Sequence, residues 1–136
     1  MAAETVEFEL VSPEQLLLSE PVAMVIVPGE EGDFGVLPRH APLISNVRPG
    51  VISVYSQRNE VSQKIFVAGG FAEVTGERCT VLAETALPLA EIDRQDTEQR
   101  LRNSREDLAD AKDDVTRATA ERQIGTFEAM LRALQS

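Results

Sequence analysis

The sequence has few of the residues on which metal sites and covalent cross-links are usually built. It contains no Trp, one Cys (Cys79) and one His (His40) among its 136 residues. One cysteine cannot form an intramolecular disulfide, which predicts a reducing compartment. A single His and a single Cys do not complete a zinc site of the common types, so no metal is expected.

Long apolar runs and a basic leader are also missing. No stretch approaches the roughly 18 consecutive apolar residues of a membrane-spanning helix, so direct membrane insertion is not expected. The first ten residues carry three glutamates and no basic residue, which is the opposite of a targeting segment. These features predict a protein that stays in the cytoplasm.

Positive charge is scarce. The sequence has 13 Lys and Arg against 23 Asp and Glu, which gives a net charge of −10. Such a protein repels the phosphate backbone and anionic lipid head groups, so general nucleic-acid binding is excluded as a function class. Hydrophobic residues make up 43% of the sequence, which is enough for a packed core.

Two segments of different composition meet near Pro88. All seven prolines and seven of the eight glycines lie in residues 1–88, where they interrupt short apolar runs. Residues 89–136 contain no proline and are rich in Ala, Leu, Arg, Glu, Gln and Asp, which is a helical composition. Residues 1–88 hold 12 acidic and 5 basic residues, and residues 89–136 hold 11 and 8. We therefore expect two domains with a boundary at residue 88.

The first domain is predicted to consist of short strands. Val6, Phe8 and Leu10 alternate with glutamates, the pattern of a strand with one buried face. A short apolar run over residues 22–27 ends at a Pro-Gly pair, and two further pairs of apolar segments flank the turn-forming residues 58–60 and 75–78. Many short strands with regular turns favour an antiparallel sandwich or barrel.

The second domain is predicted to be helical, with its arrangement left open. Apolar residues recur mostly at spacings of three, four or seven, weakly after Ile92 and strongly between Ile124 and Leu134. Asp93 is expected to begin one helix, and Asp113 or Asp114 a second. No Gly or Pro separates the two, so either one long helix or a hairpin of two fits the pattern.

Motifs for catalysis are absent from the sequence. There is no glycine-rich phosphate-binding element, and a Ser–His–acid triad would have to use His40, which has no nucleophile motif near it. His40 is instead interpreted as a structural or interface residue, and the protein is not expected to be an enzyme. Cys79, next to a predicted strand, is interpreted as a small core or half-exposed residue.

The most unusual local sequence is the segment of residues 32–44, GDFGVLPRHAPLI. Prolines and glycines bracket each apolar pair, so the backbone is restricted and the turns are fixed. The segment brings together an aromatic residue, an acid, an Arg and the single His. Two interpretations remain open, a rigid docking loop or a tightly turned sandwich edge.

Three ordered blocks carry a resemblance to a known family. They are residues 35–43 (GVLPRHAPL) continued by residues 49–52 (PGVI), residues 67–74 (VAGGFAEV) followed by 81–86 (VLAETA), and residues 7–14 (EFELVSPE). In these blocks, and in the change of composition near residue 88, the whole sequence resembles the epsilon subunits of bacterial rotary ATP synthases, the counterparts of mitochondrial delta.

The resemblance implies an α+β fold, with an N-terminal antiparallel β-sandwich of about ten strands followed by a C-terminal two-helix hairpin. It implies a non-catalytic rotor subunit in the central stalk that couples c-ring rotation to ATP synthesis. Residues 1–88 would bind the gamma subunit and the c-ring, and residues 89–136 would regulate hydrolysis through contacts with the alpha and beta subunits. The expected location is peripheral, on the cytoplasmic face of the bacterial inner membrane.

Individual site residues follow from the same resemblance. Asp33, Arg39 and His40 are expected to contact gamma and the c-ring, and Arg39 stands where the family usually has Gly. Some family members bind ATP through an Ile/Leu-Asp-x-x-Arg-Ala motif in the first helix. Here Asp96 replaces the Arg and Thr97 the Ala, which puts a charge that repels phosphate where one that attracts it is expected. No bound cofactor is therefore expected.

Two alternatives from other functional classes fit the composition. One is a free-standing regulatory module whose helical tail docks into the groove of a partner protein. The other is a nucleotide-sensing domain that binds its ligand between the sandwich and the helices.

Overall fold

The computed structural model describes residues 4–135, which form two compact units, one through Pro88 and one from Leu89 onward. The first unit contains eight strands and the second two α-helices preceded by a short 3-10 turn. In sequence order the elements are β1 (Val6–Val11), β2 (Leu16–Val22), β3 (Met24–Gly29), β4 (Gly32–Val36), β5 (Leu43–Asn46), β6 (Gly50–Gln57), β7 (Glu60–Val74), β8 (Arg78–Pro88), the 3-10 turn (Leu89–Glu91), α1 (Arg94–Asp110) and α2 (Asp114–Ala133).

The eight strands are hydrogen-bonded in the order β2-β1-β8-β7-β6-β3-β4, and β5 pairs with β7. Neighbouring strands run antiparallel except β1 and β8, which are parallel. A parallel pair needs a long connection, and here the six intervening strands supply it without a crossover helix. The first strand therefore lies beside the last strand of the sandwich.

One continuous core fills this domain. Burial alternates most clearly in β1, where Val6, Phe8 and Leu10 are buried and the neighbouring glutamates are exposed or half-buried. Val, Leu, Ile and Phe side chains from seven of the strands pack in a single cluster. Burial of one face of each strand against the others is the arrangement of a sandwich.

Strand β7 changes partners at a pair of glycines. Its first part pairs with β6 up to Val67 and its last part with β5 from Phe71. Gly69 and Gly70 lie between, with φ of +72° and +110°. A Cβ on Gly70 would lie 1.8 Å from the carbonyl oxygen of Leu82 in β8. Only glycine fits there, because it both adopts positive φ and lets the two backbones approach.

The predicted α+β class, a sandwich followed by a helical hairpin, is confirmed. Eight strands are present where the resemblance implies about ten, because β7 and β8 each run unbroken, over 15 and 11 residues. The apolar run over residues 22–27 is not one strand, however. It is divided at Ala23, which lies between the end of β2 and the start of β3. The N–H of Ala23 donates to the carbonyl oxygen of Tyr55 at 2.9 Å.

The segment of residues 32–44 is mostly strand rather than loop. β4 takes up Gly32–Val36, and β5 begins at Leu43, so only residues 37–42 connect them. The sequence pattern missed β4 because its two glycines and one aspartate are poor strand formers. Pairing with β3 from Val25 to Gly29 overrides that preference.

The second unit is a hairpin of two helices, which decides between the arrangements that the sequence left open. Asp93 caps α1 and Asp113 caps α2, each accepting a hydrogen bond from the backbone N–H three residues later. Between the helices Ala111 and Asp113 have extended backbones. Ser104 donates to Gln123 at 3.4 Å, and Arg105 pairs with Glu128 at 3.3 Å, from one helix to the other. Neither helix of the described residues 4–135 is long and apolar enough to cross a membrane.

Asp113 is expected to control the stability of α2. Its carboxylate accepts from the backbone N–H and the hydroxyl of Thr116, and these hydrogen bonds lower its pKa. A lowered pKa stabilises the fold at pH values above the ordinary carboxyl range, and this stabilisation is lost as the pH falls through the folded-state pKa.

We predict that Asp113→Ala lowers the helical content and thermal stability of the hairpin at neutral pH. Asp113→Asn is the matched control, because its side-chain oxygen still caps the helix but does not titrate. Far-UV circular dichroism of the three proteins, followed from neutral pH down through the carboxyl range, measures both effects. Identical pH profiles for wild type and Asp113→Asn would contradict a role for this titration.

Candidate partner-binding surfaces

The β3–β4 hairpin carries a group of carboxylates, Glu30, Glu31 and Asp33, which we call the acidic hairpin. Arg48 holds one side of it, since its guanidinium pairs with Asp33 and donates to the carbonyl oxygen of Gly29 at 2.6 Å. The backbone of Arg48 adds a hydrogen bond to Pro28 at 3.0 Å. The turn is thus fixed at its base by a cation from the following loop.

The remaining acids of this hairpin differ in their contacts. Glu30 is tied to Asn46 of β5, through its backbone N–H at 2.9 Å and its carboxylate at 3.1 Å. Glu31, at the tip, is exposed, and its carboxylate makes no hydrogen bond or ion pair with any other described residue. The acidic hairpin therefore presents at least one free carboxylate on a rigid turn.

Arg39 and His40 lie in the turn after β4. Arg39 has a φ of +65° and is the one non-glycine residue among the described residues with positive φ. Its backbone N–H donates to the carbonyl oxygen of Gly76 at 2.7 Å, and its guanidinium pairs with Glu4 at 2.8 Å. His40 donates its backbone N–H to Leu37 at 3.1 Å, and its Nδ1 lies 2.7 Å from the carbonyl oxygen of Ala41. The turn is braced from both sides.

The resemblance groups Asp33, Arg39 and His40, and the structure places them at two separate points. Asp33 pairs with Arg48, which follows the Asn46 end of β5 in the β5–β7 ladder. Arg39 adjoins Gly76 beyond the other end of that ladder, where Leu43 pairs with Val74. They share no partner residue. A binding surface that uses all three must extend along the length of β5.

We predict that Arg39→Gly changes the free energy of unfolding by less than about 1 kcal/mol. The left-handed backbone costs a non-glycine residue roughly 1–2 kcal/mol, and removing that penalty offsets the lost surface ion pair and the added freedom of the unfolded state. Arg39→Val is expected to be less stable than Arg39→Gly by about 1–2 kcal/mol, because a β-branched residue rarely adopts positive φ. Urea unfolding compares the variants, and equal stability of the two would contradict the turn geometry.

Sequence analysis missed an apolar row on the outward face of the sheet. Phe71 of β7 pairs with Leu82 of β8, Leu82 with Val11 of β1, and Val11 with Leu16 of β2. Ile44 of β5 lies diagonally beside Phe71, since the Cα partner of Phe71 is Asn46. We call these five residues the apolar row.

The apolar row is accessible to solvent. Ile44 is 71% exposed, Leu16 56% and Phe71 41%. Outward positions of a sandwich are normally polar, so apolar residues at the outward positions of several adjacent strands mark an interaction surface. Outward parity in the strand was the available signal for Ile44, Phe71, Leu82 and Val11. Leu16 has the parity of the inward-facing Leu18 and Val22, and a register shift in the β1–β2 pair places it opposite Val11. The order of the strands in the sheet, which brings these residues into one row, could not be predicted from the sequence.

Cys79 takes no part in these surfaces. It is fully buried in the core of the sandwich, and burial raises the pKa of its thiol to about 12. The thiolate is the reactive form of cysteine, so a core role fits this residue.

The residues of the nucleotide motif lie in the first turn of α1. Asp96 pairs with Arg100 at 2.9 Å between Oδ2 and Nε. Thr97 is buried, and its hydroxyl donates to the carbonyl oxygen of Asp93 at 2.7 Å. Each of the two substituted residues thus has a partner within the helix.

Two family models match nearly the whole sequence. The model of the β-sandwich domain of the ATP synthase delta/epsilon chain matches residues 5–89, and that of the C-terminal domain of the ATP synthase epsilon chain matches residues 93–136. The ATP synthase epsilon chain of Rhodospirillum rubrum is 55% identical over 131 residues, which cover 96% of this protein and 97% of the relative. That of Rhodospirillum centenum is 54% identical over 138 residues, with 98% and 94% covered.

Solved structures agree with these matches. One subunit in the cryo-EM structure of the Euglena gracilis mitochondrial ATP synthase, which contains OSCP, F1 and the c-ring, matches with a TM-score of 0.81 and 26% identity, over 98% of this protein and 83% of that subunit. One subunit in the central stalk and c-ring structure of the Tetrahymena thermophila mitochondrial enzyme shares the fold, with a TM-score of 0.66, 14% identity and 98% of both proteins covered.

The sandwich-plus-hairpin architecture and these matches define a class, the non-catalytic stalk subunits of ATP synthases. Within this class, the protein belongs to the ATP synthase epsilon chain family.

Proposed function

We propose that this protein is the rotor subunit at the foot of the central stalk, where it binds gamma through the apolar row and the c-ring through the acidic hairpin. The observation that carries the proposal is the apolar row, which crosses β7, β8, β1 and β2 on the outward face of the sandwich. A stalk subunit that is turned by one partner and turns another needs firm contacts with both.

Gamma is the proposed partner of the row because a continuous apolar surface suits a long-lived protein contact. Exposed Ile44 and Phe71 have the size and shape of residues that dominate the affinity of such contacts. The Arg39 turn lies beyond the Leu43 end of β5, and its guanidinium, which is paired with Glu4, is 78% exposed. His40, next to it, donates from Nδ1 to the carbonyl oxygen of Ala41, so its Nε2 is the ring nitrogen that can accept a hydrogen bond from a partner.

The c-ring is the proposed partner of the acidic hairpin. Glu31 at its tip offers a free carboxylate, and Arg48 anchors the turn that presents it. Such a turn suits the polar loops of a ring that carries positive charge. Protein contacts must also hold the subunit at its peripheral place on the cytoplasmic face of the bacterial inner membrane, since a net charge of −10 is repelled by anionic lipid head groups.

The hairpin is proposed to slow ATP hydrolysis through contacts with the alpha and beta subunits. Its connection of three residues, 111–113, contains no Gly or Pro, and Asp113 caps the N-terminus of the second helix. The hydrogen bond from Ser104 to Gln123 and the ion pair of Arg105 with Glu128 are among the contacts that join the two helices. An element whose two arrangements differ by only a few kcal/mol can serve as a switch.

One experiment tests the assignment and the brake separately. The full-length protein and the protein truncated after Pro88 are each added to ATP synthase that lacks this subunit, and co-purification with gamma and the hydrolysis rate are measured. The truncated domain keeps its own core, so we expect both to co-purify and the truncated form to allow faster hydrolysis. Failure of the full-length protein to associate with a gamma-containing complex would refute the rotor assignment and favour a free-standing module. Equal rates would refute only the brake.

A further inference from the structure

The first turn of α1 is capped and surrounded by carboxylates of the protein itself. Helix N-termini attract phosphate because their first N–H groups lack partners within the helix and carry partial positive charge. Here the carboxylate of Asp93, the acid that the family motif also contains, accepts from the N–H of Asp96 at 2.9 Å, so the residues that distinguish this turn from the motif are Asp96 and Thr97. The helix is thus capped by an acid of the protein itself.

The charges around this turn also oppose an anion. Glu91 precedes the cap and Asp96 follows it, so three carboxylates lie within six residues. Arg100, one turn further along, pairs with Asp96 at 2.9 Å. A phosphate group approaching this turn would be repelled by Asp96 and would compete with it for Arg100.

Thr97 does not provide a hydrogen-bond donor that could compensate for this repulsion of phosphate. Its side chain is 4% exposed, and its hydroxyl already donates to the carbonyl oxygen of Asp93 at 2.7 Å. The residues present therefore do not fit the nucleotide that the family motif implies.

We infer that the helical hairpin of this protein does not take up ATP, because an acid paired with Arg100 and a buried threonine stand where the family motif has Arg and Ala. The inference concerns the isolated protein and does not depend on the proposed place in the stalk. Any regulation through the hairpin then responds to partner proteins and not to ATP.

The test is calorimetric titration of the full-length protein with Mg-ATP, repeated on two variants. The first, Asp96→Arg with Thr97→Ala, restores the residues of the family motif. The second, Asp110→Arg, makes the same charge change at the far end of α1, where the carboxylate of Asp110 is exposed. Far-UV circular dichroism confirms that both variants keep their helices.

We expect no saturable binding to wild type at millimolar Mg-ATP, and binding to the Asp96→Arg, Thr97→Ala variant at least about tenfold tighter than to Asp110→Arg. Saturable binding to wild type would overturn the inference. Equal behaviour of the two variants would overturn the role given to Asp96 and Thr97. Since gamma and the c-ring are absent from this experiment, its outcome is independent of the rotor assignment.

Discussion

Gly70→Ala is expected to unfold the β-sandwich or to lower its free energy of unfolding by at least about 4 kcal/mol, a loss seen only when a mutation disrupts backbone or core geometry. The added Cβ would lie 1.8 Å from the carbonyl oxygen of Leu82 and 2.8 Å from its carbonyl carbon. Both are backbone atoms of β8, so the clash cannot be relieved by a change of rotamer. The φ of +110° adds strain that an alanine cannot relieve.

Gly35→Ala is the matched control in the same domain. Gly35 lies in β4, and the nearest atom to an added Cβ is the sulfur of Met24 at 3.8 Å, an ordinary contact. We expect its free energy of unfolding to change by less than about 1 kcal/mol, since no clash and no positive φ is involved. Urea unfolding followed by circular dichroism measures both variants. A Gly70→Ala protein as stable as Gly35→Ala would contradict the close approach of β7 and β8.

Features of the sandwich that depend on neighbouring residues were predictable from the sequence. The alternation of Val6, Phe8 and Leu10 marks β1, and the turns after β6 and β7 lie where the turn residues indicate. The cap Asp93 was likewise predicted, and Asp113 was one of the two positions, with Asp114, predicted to begin the second helix, because capping is a contact between residues three apart. Each of these depends on a few adjacent residues and not on the rest of the fold.

Features that depend on which strands become neighbours were not predictable. The parallel pairing of β1 with β8 joins residues about 70 positions apart, and the apolar row exists only because of that pairing. Asp33 and Arg39, six positions apart in the sequence, are separated because β4 runs extended between them. Arg39 is the clearest example. Arginine has little preference for positive φ, yet Arg39 adopts it because contacts with distant parts of the fold hold the turn in place.

The apolar row gives the largest expected effect on binding. We predict that Ile44→Glu combined with Phe71→Glu weakens the affinity of the full-length protein for a gamma-containing subcomplex by about 100-fold or more. Two apolar residues central to an interface each contribute about a factor of ten or more, and a carboxylate buried there without a partner adds a desolvation penalty. Because both residues are 41% exposed or more, the substitutions should leave the core of the free protein intact.

Val61→Glu is the control that separates binding from general effects. Val61 lies in the same strand as Phe71 and is 40% exposed, against 41% for Phe71, but it lies outside the row near the β6–β7 turn. It adds one negative charge to an already acidic protein, half the change made by the double variant and the same as each single substitution in the row, so a loss that arises from net charge would appear in it as well. Surface plasmon resonance with immobilised subcomplex, together with urea midpoints of the free variants, gives the comparison. An interface centred on the apolar row must discriminate between Phe71 and Val61, which are equally exposed positions of one strand. Gamma therefore does not bind the row if Val61→Glu weakens binding as much as a single substitution in the row. The same conclusion follows if the row variant binds like wild type.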